Sequence, residues 1–321
     1  VSNACFGGAL PNGLSNRGEY LLTNAGSYRT HVASAILQKN FDAGIFTPDG
    51  SSVFTLGYAY TNAHDRRNMY NSTAGSNFNV TAVFDRQNPE PSRAFYETRH
   101  NITFSANLRE KFFSDLATSL GFTFVARSGR PYSLTFAGSG VFNANQSSSS
   151  NGNLVYLPTG MDDPNVSPSS TISAADMQRL VDFAKGTDCA KKYIGRSIPR
   201  NTCSNDWYKD LDLRFSQELP GPARLLGSPG GINDKITAYL MVDNFLNLLN
   251  KGWNLQHRRD FGGRQQIAGI SGVDAQGRYI FTNASPLVPN ATTGLRPYDT
   301  ANFINVSGSV WRIKLGVSYE F

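Results

Sequence analysis

The chain has 321 residues, a net charge of +6, and 14 Tyr, 21 Phe and 30 Gly against only 17% charged residues, a balance that favours strands over helices. Its mean hydropathy is −0.34, and the most apolar stretch, Ile236 to Leu249, is interrupted by Asp243, Asn244 and Asn247. That excludes a transmembrane helix, which needs about 18 or more consecutive apolar residues, and with no Lys/Arg run longer than two residues a nucleic-acid partner is not expected. The chain opens on Val1 without a charged-then-apolar leader, the expectation for a mature chain or a piece of a longer one.

In chain order, a partial strand is expected near Tyr20–Asn24, and an extended segment of poor alternation from Arg29 to Phe41. SSVFTLGYAYT then sets Phe54, Leu56, Tyr58 and Tyr60 against Thr55, Gly57, Ala59 and Thr61. TRHNITFSANLR sets Thr98, His100, Ile102, Phe104, Ala106 and Leu108 against Arg99, Asn101, Thr103, Ser105, Asn107 and Arg109. ATSLGFTFVAR, KDLDLRFSQEL and KITAYLMVDNF repeat the pattern through Leu120 and Phe122, Leu213 and Phe215, and Ile236 and Leu240. The chain closes on VWRIKLGVSYEF, where Trp311, Ile313, Leu315, Val317, Tyr319 and Phe321 share one parity and Arg312, Lys314, Gly316, Ser318 and Glu320 the other. Side chains alternate across a strand, so each segment has one apolar face.

The connections sort by length. FDAGIFTPDG, EKFFSD and PGPARLLGSPGG are short, whereas 65–96, 133–206 and 249–304 are long, and the two kinds alternate strictly. A soluble meander has no reason to alternate them; a transmembrane barrel does, with short turns inside and long loops outside. The expected fold is therefore all-β: an antiparallel up-and-down transmembrane β-barrel portion of about eight strands, with long extracellular loops and one short loop helix, as a single domain over 1–321. Phe321 then ends at the periplasmic rim, with Trp311, Tyr319 and Phe321 as girdle aromatics.

Within the loops, FNANQSSSSNGN (Phe142–Asn153) is a polar run expected to be mobile. The one expected helix spans Ser173–Lys185, with a Ser173/Asp176 start, Gly186 as stop, and a stripe of Met177, Leu180, Val181 and Ala184 that packs on the loop or barrel mouth. Cys189 and Cys203 would close a ring of about 15 residues as a disulfide in an oxidising compartment. Zinc is the weaker alternative, since no His or second Cys pair stands nearby, and Cys5 has no partner in view. Catalysis finds little support: His31, His64, His100 and His257 are scattered, and His64 beside Asp65 is an adjacency common by chance. No enzyme and no cofactor is expected. Asp210, Asp212 and Asp243, with Arg99, Arg109, Arg127, Arg214, Arg312 and Lys314, share the polar parity and read as partly paired lumen or rim charges, or else as a substrate path.

VDNFLNLLNKGW (Val242–Trp253) resembles the penultimate-strand motif of TonB-dependent outer-membrane receptors. GEYLLTNAGSYRTHVASAILQKNF with FTLGYAYTNAHD is similar to that family's paired mid-barrel strands, and NLVYLPTGMDDP followed by NDWYKDLDLRFSQEL resembles the Oar-like branch. The likeness runs from about Gly18 to Phe321. It implies the C-terminal part of a barrel of about 22 strands in the bacterial cell outer membrane. It also implies a plug, an energy-coupling box and a carboxypeptidase-regulatory-like domain that are not found in this chain. The implied partners are outer-membrane lipid, the barrel-insertion machinery that reads the terminal aromatic strand, an energy-coupling protein and an extracellular ligand of unknown identity. A passive channel or adhesin barrel is the alternative, followed by an outer-membrane hydrolase and a soluble β-sandwich.

Overall fold

The computed structural model describes residues 26, 28–67, 72, 77, 81–86, 88–138, 152–227, 233–259 and 263–321. The strand expected near Tyr20–Asn24, Cys5, and the polar run up to Asn151 lie outside the described residues. The strands are β1 (Arg29–Phe41), β2 (Ser51–Asp65), β3 (Ser92–Arg93), β4 (His100–Phe113) and β5 (Leu116–Arg127), followed by β6 (Pro131–Ala137), β7 (Tyr156–Leu157), β8 (Arg196–Ser197) and β9 (Cys203–Ser204). After them come β10 (Tyr208–Pro220), β11 (Lys235–Asp243), β12 (His257–Arg258), β13 (Arg264–Val273), β14 (Tyr279–Asn283), β15 (Phe303–Ile304) and β16 (Arg312–Glu320).

Seven long strands form one antiparallel meander in the order β1-β2-β4-β5-β10-β11-β16, and the two-residue β3 adds to the end of β2. The expected count of about eight is met only by including that fragment. Among the described residues the outer edges of β1 and β16 are not paired with one another, so the sheet is open rather than a closed barrel. All three short connections lie at one end of the sheet and all three long ones at the other.

The register carries the alternation of each segment across the whole sheet. One row reads Lys39, Phe54, Ala106, Phe122, Leu213, Val242 and Ile313, and the next reads Phe41, Ser52, Leu108, Leu120, Phe215, Leu240 and Leu315. The opposite face between them reads Asn40, Val53, Asn107, Gly121, Arg214, Met241 and Lys314. On the apolar face Leu37 is 69% exposed, Leu56 47%, Leu315 79% and Val317 70%, while the small or central Ser52, Ala106 and Val242 are buried. An exposed apolar surface of that extent marks a face that meets protein or lipid. β1 departs from the pattern, with Val32 and Ile36 exposed on the other face, which is why its alternation reads poorly.

Polar hubs hold the turns. The Glu110 carboxylate accepts from the amides of Ile45 at 2.5 Å and Thr47 at 2.8 Å and from the Thr47 hydroxyl at 2.7 Å, fixing the β1–β2 turn from β4. Gly44 passes so close that a Cβ there would lie 2.1 Å from that carboxylate. Arg224, in the one-turn helix α2 (Pro222–Leu225), grips Asp115 of the neighbouring turn through two hydrogen bonds of 2.6 and 3.0 Å. That guanidinium holds the Asp115 carboxyl well below the usual carboxylate range.

The conventional core sits elsewhere. The long connections after β5 and β11 fold together at the loop end into one unit, with β14-β13-β6-β9 as its sheet and β13 parallel to β6. Leu134, Phe136, Leu157, Ile267 and Phe281 are fully buried there. The helix α1 (Ala174–Gly186) begins as the sequence indicates, with the Ser173 hydroxyl accepting from the Asp176 amide at 3.1 Å, and its Met177, Leu180 and Ala184 are buried in the unit's core. Among the described elements, the one-turn helices α2, α3 (Phe245–Leu249) and α4 (Pro297–Thr300) join the single expected helix. Each is too short for a 3.6-residue period to show. Cys189 and Cys203 are joined by a disulfide, and β9 carries Cys203 against Tyr132. Gly129 marks where the chain leaves β5 for this unit: a Cβ there would lie 2.2 Å from the carbonyl of Asn205, on the segment returning to β10.

Leu180→Ala should destabilise the loop unit by about 2–5 kcal/mol, the range for emptying a fully buried Leu site. Hydrogen exchange should show faster exchange in Ala174–Gly186 and β13 with the meander strands unchanged; an unchanged loop unit would contradict the core assignment. In exported protein, peptide mapping without reductant should recover Cys189 joined to Cys203, and Cys189→Ser with Cys203→Ser should cost about 3 kcal/mol. Two thiols open to alkylation in the folded protein would contradict this.

Candidate functional site

The residues open to function lie at the loop end, where the folded unit meets the sheet. The junction is ionic. Glu97, almost wholly buried, accepts from Arg93 at 2.5 Å, Arg99 at 2.9 Å and the Ala63 amide at 2.7 Å. Asp65 at the end of β2 pairs with buried Arg200 of the loop unit, whose guanidinium also donates to the Asp65 carbonyl at 2.6 Å. The Asp65 carboxylate thus turns to Arg200, and the adjacent His64 gains no dyad from it. Arg86, buried beside Arg264 and Arg67, has its pKa lowered to about 10, first by burial and then by those two like charges.

The polar-parity charges gather in part at the same end. Asp210 accepts from the Tyr208 hydroxyl at 3.0 Å and the Asn254 side chain at 3.2 Å, and Asp212 from the Asn244 amide at 2.8 Å. Lys314 pairs with Asp243 at 2.9 Å, Arg312 donates to the Ser307 carbonyl at 3.1 Å, and the Arg127 guanidinium lies 4.7 Å above the Tyr208 ring. Arg109 instead joins Glu218 at 3.1 Å near the turn end, and Arg214 stands mid-sheet opposite Gly121 and Met241. Most of these charges are thus partnered.

The segment Val242–Trp253 is the turn-out of β11. Asn244 adopts the left-handed conformation at φ 53°, caps α3 by accepting from the Asn247 amide, and donates to the Ser309 carbonyl at 2.8 Å. Asn247 donates to the carbonyls of Lys251 and Trp253 at 3.2 and 2.9 Å. Asparagine suits both tasks, since it tolerates φ above zero and its short amide reaches nearby backbone. The asparagines build a knot against β10; they do not line an opening.

Inside the loop unit, NLVYLPTGMDDP winds around Asp163. Its carboxylate accepts from the amides of Thr159 at 2.8 Å and Asn165 at 2.9 Å and from the Tyr156 hydroxyl at 2.9 Å. Desolvation opposes ionisation, but these donors outweigh it and hold the Asp163 carboxyl below its ordinary value. The same holds for Asp274: desolvation is overcome by the Arg278 amide, the Ser167 hydroxyl and the Arg278 guanidinium, leaving a pKa of about 2. Arg259 is clasped between the rings of Tyr132 and Tyr298, 4.3 and 4.6 Å from their centres, while the two hydroxyls meet at 2.8 Å. These contacts tie distant segments of the loop unit to one another.

The histidines stay apart. His31 faces Asn62 on β1, and His257 pairs with Ile304 on β12. His100 belongs to an aromatic cluster on the apolar face: it stacks on Trp207 at 5.8 Å, meets the Tyr60 ring at 5.5 Å, and shares a 2.9 Å hydrogen bond with the Tyr58 hydroxyl. Trp207, Trp253 and Trp311, all the tryptophans of the chain, are each about half exposed at the loop end. At the turn end stand exposed Phe41, Phe46, Phe112, Phe113, Tyr319 and Phe321. The Tyr319 hydroxyl donates to Asp234 in the β10–β11 connection at 2.9 Å, anchoring its ring to that rim. Trp311, Tyr319 and Phe321 were expected as girdle residues. The sequence places Tyr58, Tyr60 and His100 on the apolar parity, and the structure adds Trp207 beside them, which the sequence reading did not single out. Among the described residues no group of three or more His, Cys, Asp or Glu side chains could hold a metal ion. Comparison with protein-family models, curated proteins and solved structures returned no match.

Because the folded-state pKa values of Asp163 and Asp274 are depressed, their stabilisation is present above the unfolded carboxylate value of about 3.9 and is lost as pH falls through the folded values. Near-ultraviolet circular dichroism of the loop unit should be flat above about pH 4 and collapse between about pH 4 and 2. Collapse between pH 5 and 8 instead, the histidine range, would contradict the carboxylate account.

Proposed function

We propose that this chain is a stretch of the wall and the extracellular cap of an outer-membrane receptor barrel of the TonB-dependent, Oar-like kind. The intact receptor binds a ligand outside and imports it with energy coupled from the inner membrane. The observation that carries the membrane reading is the apolar face that the register lines up across the sheet, with Leu37, Leu56, Phe215, Leu315 and Val317 exposed on it and exposed aromatics at both ends. From His100 to Phe112 the chain runs about 40 Å along β4 at ~3.4 Å per residue, and a tilt of about 40° reduces this to about 30 Å, the thickness of a bilayer's hydrocarbon core.

Hydrocarbon does not tolerate orphan backbone groups, so the open edges of β1 and β16 require further strands. Small groups on the other face, Gly57, Thr103, Ser105, Gly121 and Thr123, suit a wide barrel rather than one plugged by its own side chains. Receptor rather than passive pore is favoured by the loop unit, whose own core presents a fixed surface outside the membrane. The energy-coupled import rests on the likeness of Val242–Trp253, Asn153–Pro164 and Asn205–Leu219 to that family. Catalysis forms no part of the proposal.

A pair of neighbouring substitutions tests it. Phe122 stands on the apolar face and Thr123 on the other. Phe122→Arg should weaken insertion into lipid vesicles by about 2–4 kcal/mol, the cost of a guanidinium at mid-bilayer, whereas Thr123→Arg should be tolerated. Equal loss for both would contradict the assignment of faces. In intact cells producing the full receptor, exposed Lys185 of α1 should react with a membrane-impermeant amine reagent; protection until lysis would contradict an outward-facing cap.

A further inference from the structure

At the loop end of the sheet, the start of β10 and the turn-out after β11 enclose an open groove of about 440 Å³ lined by Trp207, Trp253, Leu246 and Leu255. That volume lies in the range of small-molecule sites. His100 stacks on Trp207 at 5.8 Å, which holds the ring and leaves its other face to the groove, and Trp253 is half exposed. Two charged side chains, Asp206 and Lys209, share the lining. Both are exposed, and among the described residues neither side chain has an ion-pair or hydrogen-bond partner. Asn254 is committed to the asparagine knot, where it donates to Asp210 at 3.2 Å and to Asn244 Oδ1 at 2.6 Å. Asp206 and Lys209 are therefore the charged groups of the groove left open to a ligand.

We propose that this groove binds a neutral saccharide, with a pyranose ring against the indoles and its hydroxyls on Asp206 and Lys209. The inference rests on the proposed receptor reading for one thing, that the loop end faces outward, where a sugar can reach it. The rest is chemistry. A carboxylate only accepts hydrogen bonds and an ammonium only donates them. A ligand that satisfies both needs groups that do both, and hydroxyls do. An anionic ligand would meet the charge of Asp206, an organic cation that of Lys209, and a purely apolar ligand would leave both without a partner. The faces of the two indoles are apolar and carry the negative side of the ring quadrupole. A pyranose turns its C–H bonds to such a face while its hydroxyls point outward from the rim. Tryptophans at this level are expected of any aromatic belt; an unpaired acid and base beside them are not.

Saturation-transfer NMR on the full receptor in detergent micelles tests the site, with maltotriose, cellotriose and N-acetylchitotriose as probes. At least one should receive saturation, most strongly at its ring C–H protons. Asp206→Ala and Lys209→Ala should each weaken that probe about tenfold, the loss of one hydrogen bond to a charged group. Trp253→Ala should weaken it about tenfold as well, through the lost ring contact, and Trp311→Ala should leave it unchanged. Heat-dependent migration on gels shows that each variant has folded. No transfer from any probe overturns the site, as does transfer that survives undiminished in Asp206→Ala and Trp253→Ala. An effect confined to Lys209→Ala overturns the saccharide in favour of an anion. Repeating the titration in native outer-membrane fragments names the source. Transfer lost there and regained in micelles marks a sugar-bearing lipid of the leaflet; transfer retained marks a soluble saccharide; both uphold the site. A full receptor that stays monodisperse without detergent overturns the membrane reading instead, and the same titration in plain buffer still tests the groove.

Discussion

Register is the constraint on which the structure depends. A slip of one residue between any two of the seven strands would carry a whole row of apolar side chains to the opposite face. With the observed pairing, Phe54, Ala106, Phe122, Leu213, Val242 and Ile313 fall on one line across the sheet while Gly121, Arg214 and Lys314 fall on the other side. The same pairing satisfies the backbone between neighbouring strands, and among the described residues the outer edges of β1 and β16 have no strand beside them. The turn-end hubs serve this ladder: Glu110 and the Arg224–Asp115 pair fix where each hairpin turns and hence which residues face each other.

The usual arrangement of a globular protein is inverted here. The strands that make most of the ordered structure bury little, and the hydrophobic core lies in connections that return to the sheet only at their ends. Both halves follow from one rule, that apolar surface leaves water by whatever route is open. Loop residues such as Phe136, Phe281 and Leu180 leave it by packing on one another; Leu315 and Val317 have no such neighbours and need a solvent of their own kind. On the proposed reading that solvent is lipid, and the loop unit with its own core is the part that a ligand meets.

How much of this was legible in the sequence depends on range. Alternation in Ser51–Thr61, Thr98–Arg109 and Val310–Phe321 is local and needs no partner to be seen, and so is the capped stripe of Ala174–Gly186. The loop core was not legible. β6 is buried on both faces, so Pro131–Ala137 has no period, and its partner β13 lies more than a hundred residues away in parallel register. Two-residue strands such as β3 and β12 carry no period at all. Of the site, the charges and terminal aromatics showed in their parity. The Arg259 clasp and the Asp163 hub did not, because contacts between distant loops leave no local signature.

The central claim is that one face of the meander meets lipid. The most direct measurement is a nitroxide scan along β4 from His100 to Phe112 in lipid vesicles, comparing collisions with oxygen, which concentrates in hydrocarbon, with those of a water-soluble nickel chelate. The account predicts a period of two, with oxygen favoured at Ile102, Phe104, Ala106 and Leu108 and the chelate at Asn101, Thr103, Ser105 and Asn107. Chelate access at both sets, or oxygen access without alternation, would contradict it.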